Sequence, residues 1–260
     1  VRTGLSWELV SVANVRSAGG VQISYRDSGS HPSVADLPPV VLVHGMGGDS
    51  GTWDKFARTL RSRNRRVVSV DLRGHGRSAR ASSYLFEEFA DDVMDVCDHL
   101  ELEQVDLVGH SLGGHAASLI AQKRPTAVRK LVIEEAPLPL RAGDPEQVFA
   151  RKLPSVPELW HATTSLVRHP RAALTFDRSM TRSALEQFRR PDPQWWDRLP
   201  LIEADVLFLR GGLGGMVDPV RLDAVAATVA RCELVSFRTG HSVHRDGHRQ
   251  FESVVLPFIS

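Results

Sequence analysis

The sequence predicts an α/β fold, a mostly parallel sheet with helices on both faces, and three observations carry that prediction. Short β-branched runs alternate with amphipathic helical stretches from end to end, the pattern of parallel strands joined by helical crossovers. The 260-residue length suits one such domain with a sizeable core and an insertion better than two independent domains. The rhythm breaks at one long gap, at about 137–200.

Strand patterns fall near 7–12, 21–25, 40–43, 67–70, 105–108, 131–133, 206–209 and 233–237. The runs VVLV at 40–43 and VDLV at 105–108 read as buried strands, and each ends in a glycine-rich turn. Helical patterns lie around 52–63, 84–100, 112–123, 219–229 and 248–258. The fourth opens on Asp218-Pro219, an N-cap followed by proline at the first helical position. The gap is too long for a plain crossover, carries scattered prolines, and contains helical pieces at 144–152 and 179–189. It reads as a helical cap over the carboxyl edge of the sheet. The expected division is a core domain of residues 1–136 and 201–260 with a cap insertion of 137–200. There is no internal repeat and no low-complexity tract.

A net charge of +1, with basic and acidic residues interspersed, argues against nucleic acid or an anionic membrane surface as partner. The two cysteines, Cys97 and Cys232, have neither the number nor the spacing of a disulfide framework or a zinc site, and read as buried apolar residues. No apolar stretch reaches membrane-spanning length, and VRTGLSWELV lacks the layout of a signal peptide. These features point to a cytoplasmic protein acting on a small molecule, with a removed leader and homo-oligomerisation left open.

The residue that asks for an explanation is Ser111, in VDLVGHSLGG. A strand-to-helix turn this tight strains its central residue, and Gly109 and Gly113 remove the side chains that would clash. The hydroxyl is held at the head of the helix that follows, where backbone N–H groups favour a developing negative charge. Upstream, VVLV runs into His44-Gly45-Met46-Gly47-Gly48, a turn whose backbone can approach a ligand closely. The N–H groups of Met46 and Leu112 would together form an oxyanion hole.

HGMGG, then DLRGHGRS at 71–78, then GHSLGG at 109–114, in that order and spacing, resemble the α/β-hydrolase family over nearly the whole chain. The resemblance implies an eight-stranded, mostly parallel sheet, a cap after strand six, and a triad in chain order serine, acid, histidine. Asp71 and Arg73 then read as structural hydrogen-bonding partners. Of eleven histidines, His241 fits the base: it follows the last strand in Thr239-Gly240-His241 and precedes the final helix. His110 is expected to wedge beside the nucleophile, and the remaining histidines read as surface or loop residues. His241, His244 and His248 with Asp246 mimic metal-ligand spacing, but neither a metal nor a cofactor is expected.

The acid is where the chain departs from the family. The usual aspartate slot after strand seven holds Gly214, and Asp218 comes four residues later as an apparent helix cap. The sixth strand ends in LVIEEAP, and haloalkane dehalogenases resemble it in taking their acid there. Glu135 is therefore the first candidate, to hold the Nδ1–H of His241; Asp218 is the alternative and Glu134 the third. In the insertion, Arg168, Arg171, Arg178, Arg182, Arg189 and Arg190, with Trp160, Trp195 and Trp196, read as a solvated basic face anchored by tryptophans, or else as a guide for an acidic or aromatic substrate. Trp53 reads as core.

Three function classes follow. The first is a carboxylesterase-like serine hydrolase cleaving an ester, thioester, lactone or amide of a small, largely apolar molecule through an acyl-enzyme on Ser111. The second is an acyltransferase, lyase or cofactor-independent oxygenase of the same fold. The third is a non-catalytic ligand receptor. Serine at position 111 argues against dehalogenase or epoxide-hydrolase chemistry, which needs a carboxylate nucleophile.

Overall fold

The computed structural model describes residues 11–29, 37–144, 175–212 and 215–260. Eight strands form one sheet: β1 (Ser11–Arg16), β2 (Gln22–Asp27), β3 (Val40–Val43), β4 (Val67–Val70), β5 (Val105–His110), β6 (Val128–Glu134), β7 (Asp205–Arg210) and β8 (Cys232–Ser236). Their spatial order is β1-β2-β4-β3-β5-β6-β7-β8. The β1/β2 and β2/β4 pairs are antiparallel, and the remaining five neighbour pairs are parallel, as expected.

The first strand predicted at 7–12 lies, up to residue 10, outside the described residues; from Ser11 the strand runs past Val12 to Arg16. In VANVR the alternate residues Ala13 and Val15 pack on the core, a period of two that the neighbouring WELV obscures. Strand β6 also outruns its apolar centre, because Arg129 and Lys130 pair with Asp106 and Asp205.

The sheet divides the core by simple alternation. Val41, Val43, Leu107, Leu131, Ile133 and Phe208 face one side, with residues of α2 (Phe86–His99) and α3 (Leu112–Lys123). Val40, Leu42, Val108, Val132, Leu207 and Leu209 face the other, with Phe56 of α1 (Asp54–Ser62) and Phe251 of α8 (His248–Phe258). The predicted core residue Trp53 is fully buried there. At the amino end of the sheet, Asp106 is fully buried and accepts from Arg65 at 2.6 Å and Arg129 at 2.7 and 2.9 Å. Both guanidinium groups also donate to the Ile259 carbonyl, closing that end of the molecule.

Between β6 and β7 the described residues form α4 (Ser179–Phe188) and α5 (Pro193–Asp197). Trp195 Nε1 donates to Ser118 Oγ on α3, Trp196 Nε1 to the Pro139 carbonyl, and Gln187 Nε2 to the Tyr84 carbonyl. Arg178, Arg182, Arg189 and Arg190 are exposed. The helical piece expected at 144–152 falls, beyond Asp144, outside the described residues, as do Trp160, Arg168 and Arg171. Cys97 and Cys232 are free and half-buried, their thiols pushed up by burial to about 12 and about 11. Beyond these come α6 (Pro219–Thr228) and the short α7 (Val243–Asp246). No helix among the described residues is long and apolar enough to cross a membrane.

Candidate active site

Ser111 lies between β5 and α3 with φ 53° and ψ −118°, a conformation that L-residues avoid and that a tightly constrained turn must impose. The constraint is visible in the flanking glycines. A Cβ on Gly113 would fall 2.4 Å from the His44 carbonyl oxygen, and one on Gly109 would fall 2.4 Å from the Gly113 carbonyl oxygen. Strand β3 and helix α3 therefore meet at backbone distance, and the serine is lifted out of the strand direction. Leu112 opens α3, so its N–H is a first-turn donor with no intrahelical acceptor.

The HGMGG turn is set by two histidines. His44 Nε2 accepts from the Leu72 N–H at 3.1 Å, and His75 Nε2 accepts from the Gly47 N–H at 3.0 Å. Both imidazoles are fully buried, and burial lowers the proton affinity of each. His75 belongs to DLRGHGRS, where Asp71 accepts from the Ser50 and Arg77 N–H groups and Arg73 makes a two-pronged pair with Asp92. The structural roles expected for Asp71 and Arg73 are what the geometry shows.

His241 Nε2 is 3.0 Å from Ser111 Oγ, and His241 Nδ1 is 3.4 Å from Glu135 Oε2. Glu135 is fully buried and, like Ser111, sits at positive φ, 50°. Its carboxylate accepts from the Gly211 N–H at 2.5 Å and the Met216 N–H at 2.6 Å. The loop after β7 thus folds around the carboxylate of the residue that follows β6. A Cβ on Gly215 would fall 2.4 Å from Glu135 Oε1, so glycine there makes room for the glutamate. Gly214 itself lies outside the described residues. Asp218 caps α6, accepting from the Val220 and Arg221 N–H groups. The structure brings Ser111, His241 and Glu135 together and leaves Asp218 on a helix terminus.

Glu134, the third candidate for the acid, is fully buried and pairs with a different histidine: its carboxylate accepts from the His244 N–H at 3.0 Å and pairs with His244 Nδ1 at 2.8 Å. Of the remaining histidines, expected at the surface or in loops, His44 and His75 do lie in loops, whereas His115 lies on α3. His44, His75 and His115 are buried, the last against Phe86, Phe188 and Trp195, and burial pushes it down to about 3. His110 does wedge beside the serine as expected, its Nε2–H donating to the His241 carbonyl at 2.8 Å. Glu134 ends β6 and Glu135 follows it at φ 50°, so the two adjacent carboxylates turn to different partners.

The His241, Asp246, His244, His248 spacing does not assemble as a cluster; His248 pairs with Glu252 instead. Among the described residues, His110, Glu134 and His244 bring metal-ligand-type atoms within 4.8 Å of one another. His110 Nε2 and His244 Nδ1 are engaged in the hydrogen bonds just described.

Several known proteins share this architecture. The chain is 26% identical over 259 residues to the sn-1-specific diacylglycerol lipase ABHD11 of Mus musculus, covering 87% of this chain and 82% of that protein. It is 26% identical over 269 residues to 2-hydroxymuconate semialdehyde hydrolase of Pseudomonas sp. strain CF600, covering 94% and 92%. The structure of an esterase from Exiguobacterium antarcticum superposes with a TM-score of 0.80 at 21% identity, over 96% of this chain and 99% of that one. The family model of the alpha/beta hydrolase fold matches residues 38–205. With that match spanning the elbow, the glycine turn and strands β3 to β6, the chain belongs to the α/β-hydrolase family.

Proposed function

We propose that this protein is a serine hydrolase that cleaves an ester, thioester, lactone or amide of a small, largely apolar molecule through an acyl-enzyme on Ser111. The observation that carries the reading is the 3.0 Å approach of His241 Nε2 to Ser111 Oγ, because a serine hydroxyl is a poor nucleophile until a base stands within hydrogen-bonding reach. Similarity to hydrolases over most of the chain agrees with it.

In this reading Ser111 Oγ attacks the carbonyl carbon while His241 Nε2 takes its proton. Glu135 accepts the Nδ1–H of His241, fixes the tautomer and stabilises the imidazolium. The N–H groups of Met46 and Leu112 hold the tetrahedral oxyanion. Collapse expels the leaving group, which takes the proton back from His241, and water then repeats the sequence on the acyl-enzyme. Residues 137–200 act as a cap on the core of 1–136 and 201–260, with Trp195 and Trp196 as its anchors. Met46 and Met216, 41% and 49% exposed, stand on the two loops that border Ser111 and Glu135, and flexible thioethers suit apolar substrates of varied shape.

The test is labelling with an alkyl fluorophosphonate, alongside a panel of p-nitrophenyl esters of graded acyl length. Stoichiometric modification and turnover are expected, both abolished by Ser111→Ala. Folded protein that takes no label and turns over no ester would sink the proposal. Partitioning of the acyl group to an added alcohol in preference to water would move it to acyl transfer.

A further inference from the structure

Behind the Ser111–His241–Glu135 line lies a second set of polar groups that the proposed reaction does not use. Each member is close in the chain to one of the first set: His110 precedes Ser111, Glu134 precedes Glu135, and His244 follows His241 by three residues. All three are buried, at 8%, 0% and 4% exposure. We infer that Glu134, His244 and His110 are positioning residues for His241, a buried set of hydrogen bonds that clamps the loop bearing the base so that its Nε2 stays on Ser111 Oγ. This inference rests on the serine hydrolase reading above.

The need for a clamp follows from how loosely the imidazole itself is held. The 3.4 Å separation of Nδ1 from Glu135 Oε2 is at the long end for a hydrogen bond, and the side chain is 31% exposed. The ring can then be no better placed than its backbone, and that backbone is pinned on both sides. Before it, the Gly240 N–H donates to the Gly211 carbonyl at 3.0 Å. At the residue itself, the carbonyl accepts the His110 Nε2–H at 2.8 Å. After it, the N–H group of His244 donates to the Glu134 carboxylate at 3.0 Å.

His244 completes the clamp from the side chain. Its Nδ1 meets both Glu134 oxygens, at 2.8 and 2.9 Å, while its ring stacks on Trp53 with centroids 4.0 Å apart. His244 Nε2 has no hydrogen-bond partner among the described residues, so Glu134 is the ring's polar anchor. Burial pushes Glu134 up and His244 well down from their ordinary values, and it pushes His110 down to about 3. The clamp thus holds neutral imidazoles, which suits fixed donors: His110 with its hydrogen on Nε2, His244 with its hydrogen on Nδ1. Because β5 and β6 are paired in register, with His110 opposite Glu134, the clamp ties the base to the same two strands that carry the serine and the acid.

The experiment compares Glu134→Gln, His110→Leu and His110→Gln, using a short p-nitrophenyl ester and fluorophosphonate labelling. Glu134→Gln and His110→Leu are expected to lower kcat and the labelling rate about ten- to a hundredfold, the cost of a misplaced catalytic group. KM should stay within about twofold and the titre of labelled Ser111 should remain complete. In His110→Gln the amide N–H reaches the place of Nε2–H and should recover most of the rate. Wild-type kcat in folded Glu134→Gln and His110→Leu overturns the inference. So does a fall in titre with normal turnover per labelled site, which is the mark of a merely structural role. Should the variants fail to fold, 15N imidazole spectra of the wild-type protein decide: the Nε2–H tautomer of His110 and the Nδ1–H tautomer of His244 are expected, and the reverse assignment at either overturns it. Activity or label that survives Ser111→Ala defeats the hydrolase reading itself, a different result from any of these.

Discussion

Two glutamate–histidine pairs lie side by side in this molecule, their glutamates adjacent at the end of β6 and their histidines three residues apart, His241 before α7 and His244 within it. Glu135 and His241 make one, Glu134 and His244 the other. The chemistry of the partners is identical, both carboxylates are fully buried, and the closer pair is the one not assigned to proton transfer, 2.8 Å against 3.4 Å. What separates them is the far side of each imidazole. His241 Nε2 reaches Ser111 Oγ with 31% of the side chain exposed, whereas the His244 ring lies against Trp53 at 3%. A histidine can shuttle protons only where its second nitrogen meets a reacting group and where an imidazolium can be tolerated. Tightness of pairing is therefore a poor guide to function here; access is the better one.

The sharpest way to break this comparison is to neutralise each carboxylate in turn. Glu135→Gln should lower kcat on p-nitrophenyl esters by about a thousandfold or more, because the tautomer and the imidazolium of His241 both lose their partner. The adjacent Glu134→Gln should cost far less, as set out above. Equal losses from the two would erase the distinction between them. A second, smaller effect tests the room made for Glu135. Gly215→Ala places a Cβ 2.4 Å from Glu135 Oε1, and the displaced carboxylate should cost about a hundredfold in kcat, an effect of misplacement, with little change in the thermal midpoint. Full activity in Gly215→Ala would mean that the glycine loop does not define the acid.

Much of this was legible in the sequence, for physical reasons that differ by residue. Ser111 was legible because a strained elbow needs glycines at fixed offsets, and His241 because a strand followed by glycine and histidine precedes the last helix. Glu135 became legible through an absence, since glycine stood where an aspartate was expected. The role of Glu134 was not: burial of a strand-end carboxylate depends on what α7 and the loop before it bring over the sheet, which is a tertiary fact. The same holds for His115, whose surroundings are assembled from α2, α3, α4 and α5.

The buried imidazoles extend the comparison to stability. His115 is fully buried and held down to about 3, while an unfolded chain would titrate near 6.5. Above about pH 6.5 neither state binds the proton, and His115 contributes no pH dependence. As the pH falls from there toward 3 the unfolded state alone takes it up, so stability is lost by about 1.4 kcal/mol per pH unit for this one group. Urea unfolding of His115→Leu should therefore lose about 1 to 2 kcal/mol less than the wild type between pH 7 and pH 5. Parallel losses in the two proteins would show that the imidazole is not kept neutral.

The smallest effect concerns the carboxylate left out of both pairs. Asp218 accepts from the Val220 and Arg221 N–H groups at the start of α6, which is the work of an N-cap and not of an acid holding His241. Asparagine caps about as well as aspartate, whereas alanine at such a position costs about 1 kcal/mol. Asp218→Asn should leave both ester turnover and stability within about twofold and about 0.5 kcal/mol of the wild type, and Asp218→Ala should lower stability by about 1 kcal/mol with kcat unchanged. Only a group that touches His241 during turnover could make Asp218→Asn inactive while it remained folded. That result would transfer the role of acid from Glu135 to Asp218 and reverse the assignment of the two loops.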